Sequence, residues 1–82
     1  MDVKTLGPGH TIELYVKPGC PYCAEAEAFY RRKGLQYKAY NAQDNASTKR
    51  RMLELAGGNP TTPAIVIDGV YVQSGWGQPP RG

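Results

Sequence analysis

The chain has only two cysteines, Cys20 and Cys23, and they sit where a strand pattern gives way to a helix pattern. Thr11-Ile12-Glu13-Leu14-Tyr15-Val16 is rich in β-branched and aromatic residues and reads as a strand. Lys17-Pro18-Gly19 breaks it. Pro21 suits the first turn of a helix, where its missing N–H is not needed. That helix is expected to run to about Lys33 and to stop at Gly34. Its inward face carries Cys23, Ala26 and Tyr30, with Phe29 beside them. Arg31, Arg32 and Lys33 lie late in it, where the helix dipole favours cations.

The rest of the chain continues the alternation. Residues 36–40 read as a short strand. Asp44 or Asn45 can cap a second helix over 46–56, whose apolar side is Met52, Leu53, Leu55 and Ala56. Gly57-Gly58 ends it. Ala64-Ile65-Val66-Ile67 is a third strand, Asp68-Gly69 a hairpin turn, and Val70-Tyr71-Val72-Gln73 the returning strand. The order is β-α-β-α-β-β, an α/β domain with a four-stranded mixed sheet. Strands joined through a helix should be parallel, and the final hairpin antiparallel. The organised region is 11–76, with loose tails expected at 1–10 and 77–82.

Composition narrows the function. At 82 residues the chain can form one small domain of roughly 4,900 Å² accessible surface. A disulfide-stapled secreted scaffold would spread more cysteines along the chain, and a Cys-x-x-Cys loop is too small to hold distant elements together. No apolar run reaches the roughly 18 residues of a membrane span. Residues 1–10 hold no apolar h-region, so no secretory signal is expected. The net charge of +3 suits anionic ligands but is far from a nucleic-acid-binding pattern. Arg31-Arg32-Lys33 and Lys49-Arg50-Arg51 read either as solvated helix faces or as steering charges for an anionic partner.

The cysteine pair is therefore chemistry at one spot. At the helix N-terminus, free N–H groups and the dipole stabilise a thiolate on Cys20, and Lys17 adds a positive charge. Cys23, one turn further in, lies on the core face. The asymmetry assigns roles: Cys20 attacks a disulfide, and Cys23 resolves the mixed disulfide by attacking Cys20. Other uses of the spacing fit less well. Zinc needs about four ligands, and only His10 is left to join the two cysteines. Attached c-type haem needs a histidine where Ala24 stands. A structural or inert thiol pair remains as a plain alternative.

In this context the chain resembles the glutaredoxins, which have a minimal thioredoxin-like fold. Lys17-Pro18-Gly19-Cys20-Pro21-Tyr22-Cys23 is similar to the dithiol glutaredoxin active site. Thr61-Thr62-Pro63, ahead of Ala64-Ile65-Val66-Ile67, is similar to the family's Thr-x-Pro loop. The resemblance covers about 11–76. It implies a cis peptide before Pro63, facing Cys20, and an exposed Thr62 backbone that pairs with an extended thiol peptide. It implies glutathione as reductant and co-substrate, no metal, and a reduction potential suited to the cytoplasm. Glutathione would be held by Lys17, Tyr22, Thr61, Thr62 and Pro63. For Lys17 a solvated lysine, for Tyr22 a half-exposed helix residue, and for Thr61 a turn residue are the alternatives. Disulfide-containing and glutathionylated proteins would be the substrates, with no nucleic acid or membrane as partner.

The C-terminal part departs from that pattern. Many glutaredoxins follow the last strand with Gly-Gly-x-Asp, whose acid meets the amino end of glutathione. This chain has Gln73-Ser74-Gly75-Trp76-Gly77 and no acid after Asp68. Ser74-Gly75-Trp76 is similar to a segment of glutaredoxin-like redoxins that serve ribonucleotide reductase and are recharged by thioredoxin reductase. Trp76 is then either a docking surface or a core plug. Six residues after Trp76 leave no room for a third helix, so an exposed sheet face, and self-association through it, is expected. A third function, carrying an iron–sulfur cluster between two protomers, is disfavoured by Pro21, where cluster-binding relatives commonly have a smaller residue.

Overall fold

The computed structural model describes residues 9–77 and 79–82. Most of the tail expected over 1–10, and residue 78, lie outside them. The elements are β1 (Ile12–Val16), α1 (Pro21–Arg32), β2 (Tyr37–Asn41), α2 (Ala46–Leu55), β3 (Ala64–Ile67) and β4 (Val70–Ser74). They form one sheet in the order β2-β1-β3-β4. β1 runs parallel to β2 and antiparallel to β3, and β3 and β4 form the antiparallel hairpin. This is the expected α/β thioredoxin-like architecture. The second strand is displaced by one residue from its expected span, and the last strand runs one residue further.

Local chemistry explains the boundaries. Gly34 takes a left-handed φ of 70°. Its N–H reaches the Arg31 carbonyl at 3.0 Å and the Leu35 N–H reaches the Tyr30 carbonyl at 3.0 Å, closing α1 with a Schellman turn. Of the two candidate caps of α2, Asn45 is the one used: its Oδ1 accepts from the Thr48 N–H at 3.0 Å. Asp44 instead accepts from Asn41 Nδ2 at 2.9 Å. Asp68 (φ 54°) and Gly69 (φ 79°) are both left-handed, as a two-residue hairpin of this twist requires. The Asp68 carboxylate also accepts from the Thr11 N–H at 2.9 Å and pairs with His10 Nδ1 at 2.6 Å, tying the hairpin to the start of β1.

Alternation along the central strands builds two cores. Ile12 and Leu14 with Ile65 and Ile67 face α1 through Ala26 and Tyr30. Tyr15 with Ala64 and Val66 faces Met52 of α2, joined by Ala42. Both faces of the sheet are thus covered, which is why all four residues of β3 are buried. The accessible surface, 4892 Å², matches what scaling with size gives for a folded chain of this mass.

The expected open sheet face is corrected. Trp76 is only 8% exposed and lies in the core on the α1 side, 5.9 Å from Tyr30 and 5.3 Å from Phe29 between ring centroids. It is a plug, covering apolar surface that a further element would otherwise have to cover. Val70 is the one large apolar residue strongly exposed among the described residues. Residues 79–82, expected as part of a tail, instead fold back, and Arg81 pairs with Trp76 just beyond β4. Trp76 donates its N–H to the Arg81 carbonyl at 2.7 Å, and Arg81 donates back at 2.9 Å. None of the helices among the described residues is long and apolar enough to cross a membrane.

One buried group is unsatisfied. The Tyr30 hydroxyl is sealed in the α1-side core with no hydrogen-bond partner among the described residues. Burial pushes its pKa up to about 12. The unfolded value is about 10, so this core favours the neutral ring; its contribution is whole below about pH 10 and is lost as pH rises towards the folded value. Tyr30→Phe should therefore raise stability by about 1 kcal/mol at neutral pH, since it removes an unpaired buried hydroxyl. It should also flatten the alkaline fall in stability. Urea unfolding at pH 7 and pH 11 checks both.

Candidate active site

The pairing of β1 with β3 brings the site together. Tyr15 lies opposite Ala64, so the end of β1 and the start of β3 share one edge of the sheet. Cys20 follows β1 by a short loop, and Thr62-Pro63 immediately precedes β3. Thr62 and Cys20, 42 residues apart in sequence, therefore meet. The Thr62 hydroxyl donates to Cys20 Sγ at 3.7 Å, and Cys20 Sγ lies 3.9 Å from the Thr62 carbonyl oxygen. The Thr62–Pro63 peptide is cis. The Pro63 carbonyl accepts from the Gly75 N–H at 2.7 Å, which extends the β3–β4 ladder past its last paired strand residues.

Cys20 is itself the N-cap of α1. Its backbone is extended (φ −87°, ψ 110°), and its Sγ accepts from the Cys23 N–H at 3.2 Å. A sulfur in the capping position takes up one of the free donors of the first turn, and a thiolate does so best. Burial by itself would raise the Cys20 pKa. The hydrogen bonds from the Cys23 thiol, the Cys23 N–H and the Thr62 side chain, with the charge of Lys17, outweigh it and hold Cys20 below the ordinary thiol range. Cys23 behaves oppositely. Burial, then its hydrogen bond to Cys20, push its pKa up to about 11. Both thiols are free and both are buried, Cys20 retaining 6% of its surface and Cys23 2%.

The other expected site residues divide. Lys17 and Thr62 line one groove together, beneath α2. Pro63 is fully buried beside them. Thr61 is half-buried, and its N–H is bound to Asn59 Oδ1 at 2.9 Å, so it also serves the turn. Tyr22 is not in this groove. It is half-buried against the α1-side core, because its place on the helix turns it towards the face that holds Trp76. Gln43 and Lys49 line the same groove as Lys17; the sequence pointed to Lys49 only as one of a run of steering charges, and to Gln43 not at all. Lys49 belongs to a basic run on α2, and only the packing of α2 across the sheet shows that one member of that run faces the site. Among the described residues, no group of three or more His, Cys, Asp or Glu side chains is placed to hold a metal ion.

A thiol that caps a helix, a second buried thiol one turn on and a cis-proline turn opposite, on a four-stranded mixed sheet, are the arrangement of a redox protein of thioredoxin-like fold. The glutaredoxin family model matches residues 12–72. The chain belongs to the glutaredoxin family, and it is a thiol–disulfide oxidoreductase of that type. Glutaredoxin 3 of Escherichia coli (strain K12) is 33% identical to it over 61 residues, which cover 74% of this chain and 72% of the relative. Among solved structures, the thioredoxin-like protein BC3987 superposes with a TM-score of 0.69 at 30% identity, covering 77% of this chain and 80% of that one. The holo form of glutaredoxin C1 from Populus tremula x tremuloides gives 0.65 at 22% identity, over 77% of this chain and 64% of that one, a likeness of fold.

The hydrogen bond from Thr62 has a measurable consequence. Only the thiolate is alkylated at a useful rate, so the alkylation rate follows the ionisation of Cys20. In the parent the rate should rise with pH at a midpoint below that of a free thiol. Thr62→Val removes the hydroxyl donor while keeping the side chain's shape, and should move that midpoint to higher pH. Stopped-flow alkylation between pH 4 and 10 checks this; an unmoved midpoint would show that the hydroxyl does not tune the thiol.

Proposed function

We propose that the chain is a glutathione-dependent oxidoreductase that reduces protein disulfides and glutathione mixed disulfides through Cys20 and Cys23. The observation that carries this reading is the placing of the two thiols: Cys20 caps α1 and accepts from the Cys23 N–H and the Thr62 hydroxyl, while Cys23 is buried one turn further on. Cys20 is held below the ordinary thiol range and Cys23 is raised to about 11, although they are one helical turn apart. An attacking group must be ionised at rest; a resolving group must stay protonated until the mixed disulfide has formed.

The Cys20 thiolate attacks one sulfur of the substrate disulfide. A new S–S bond forms to Cys20, the old one breaks, and the other sulfur leaves as a thiolate. With a glutathionylated protein, the protein thiol leaves and glutathione stays on Cys20. The thiolate of a second glutathione then attacks the glutathione sulfur, releasing oxidised glutathione and restoring the Cys20 thiolate. With a protein disulfide, Cys23 attacks Cys20 instead. It gives up its proton as it does so, the substrate's second thiol is released, and the Cys20–Cys23 disulfide closes. Two glutathione molecules reopen it, leaving as one molecule of oxidised glutathione.

Glutathione is an anion at neutral pH, and the groove suits it. Lys17 and Lys49 supply positive charge, and Gln43 supplies a neutral donor, on the side that also holds Thr62. We assign carboxylate binding to Lys17 with Lys49, and the peptide backbone to Thr62 beside Pro63 and Thr61. Glutathione, glutathionylated proteins and disulfide-containing proteins are the partners this reading requires. The cytoplasm, with its reduced glutathione pool, is the compartment it suits.

Cys20→Ser should abolish turnover of both substrate classes. Cys23→Ser should retain reduction of a glutathionylated peptide and lose reduction of a protein disulfide. In a coupled assay, the oxidised parent should be reduced by glutathione with glutathione reductase and NADPH, and far more slowly by thioredoxin reductase with NADPH. Preference for thioredoxin reductase would instead make the chain a redoxin-type electron donor, and full activity of Cys20→Ser would overturn the assignment of the nucleophile.

A further inference from the structure

Residues 79–82 lie beside the turn that faces Cys20. The backbone exchange between Trp76 and Arg81 closes a tight return of the chain. Gly75 makes this return possible. Its φ is 89°, and a Cβ there would stand 2.8 Å from the Arg81 nitrogen. Gly77 is left-handed too, at 99°. Pro79 and Pro80 have restricted backbones and no N–H to give. The arm of residues 79–82 is thereby aimed at the turn before β3. At its end, Gly82 is seated against Thr62: a Cβ on Gly82 would collide with the Thr62 carbonyl oxygen and with Cγ2 of Thr61.

That carbonyl is the one that lies 3.9 Å from Cys20 Sγ. The arm and the nucleophile therefore flank the same oxygen. An extended peptide brought to Cys20 would pair with this stretch of backbone, as an added strand does. The place is taken by the chain's own backbone, and Cys20 keeps only 6% of its surface.

We propose that the arm of residues 79–82 occupies the backbone site of a disulfide substrate beside Thr62 and so determines which substrates reach Cys20. A substrate has to displace Gly82 from the Thr62 carbonyl before its disulfide can meet the sulfur. Apparent affinity is then reduced by the fraction of molecules in which the arm is seated. A short anionic thiol peptide, held also by Lys17 and Lys49 in the groove, is disfavoured less than a long protein segment that relies on the Thr62 backbone alone. The proposal rests on Cys20 being the attacking thiol, as assigned above.

The test uses Gly82→Ala, whose added methyl group has no room against Thr62, and a second variant lacking residues 79–82. The probe is iodoacetamide, with the modified cysteine identified by mass spectrometry. It reports access to Cys20 without any need for glutathione. Both variants should alkylate at Cys20 roughly three- to tenfold faster than the parent at equal pH. The KM for a long disulfide-bonded peptide should fall more than that for a glutathionylated one, with kcat retained. Trp76 is the only tryptophan, so its emission should shift to the red in the shortened variant as its pairing with Arg81 is lost. Equal alkylation rates at Cys20 in all three proteins, each shown folded by circular dichroism, would overturn the proposal and leave the glutathione reading standing. Alkylation confined to Cys23 would overturn the assignment of the nucleophile and the proposal with it.

Discussion

The antiparallel register of β1 against β3 is the constraint on which the site depends. It sets Tyr15 against Ala64, so the loop that leaves β1 and the turn that enters β3 emerge at the same sheet edge. Cys20 stands in the first and Thr62 in the second. The strands themselves are held by burial on both faces, Ile65 and Ile67 on one side and Ala64 and Val66 on the other. A one-residue slip would turn each of these to the wrong helix, so hydrophobic burial, which is non-directional, here fixes the register that brings Cys20 and Thr62 together.

The two thiols differ because the helix start places them in different surroundings. Cys20 caps α1, with its sulfur among donors: the Cys23 N–H and the Thr62 hydroxyl. Cys23 is one turn on, inside the core, and gains little that would stabilise its charge. Identical side chains thus have their pKa values pushed apart, Cys20 downward and Cys23 upward. The lysines of the adjoining groove extend the same electrostatic bias outward.

The C-terminal residues do two jobs that the sheet alone leaves undone. Trp76 seals the α1 side of the core against Tyr30 and Phe29. The return that follows carries the backbone back to Thr62. Gly75 serves both, since its left-handed backbone turns the chain inward and its missing side chain admits the Arg81 backbone. Packing of the core and the placing of backbone beside Thr62 are thereby coupled through one short segment.

Much of this was legible in the sequence. The alternation at 11–16 and 64–67, the Asp68-Gly69 turn and the Pro21 and Gly34 signals mark the six elements, because each depends on local backbone preferences. The Cys-x-x-Cys spacing at a strand-to-helix junction also implied the asymmetry of the thiols, since a helix terminus is an electrostatic object wherever it occurs. Other features depend on residues far apart in the chain, and only the tertiary structure decided them. It drew Lys49 and Gln43, but not Tyr22, to the groove of Lys17, because the crossing of each helix over the sheet sets which of its faces meets the site. It buried Trp76 where an open face was expected, and returned the segment after it to Thr62. A glycine-rich stretch leaves many backbone paths open, and long-range contact with Pro63, Thr62 and the core selects one of them.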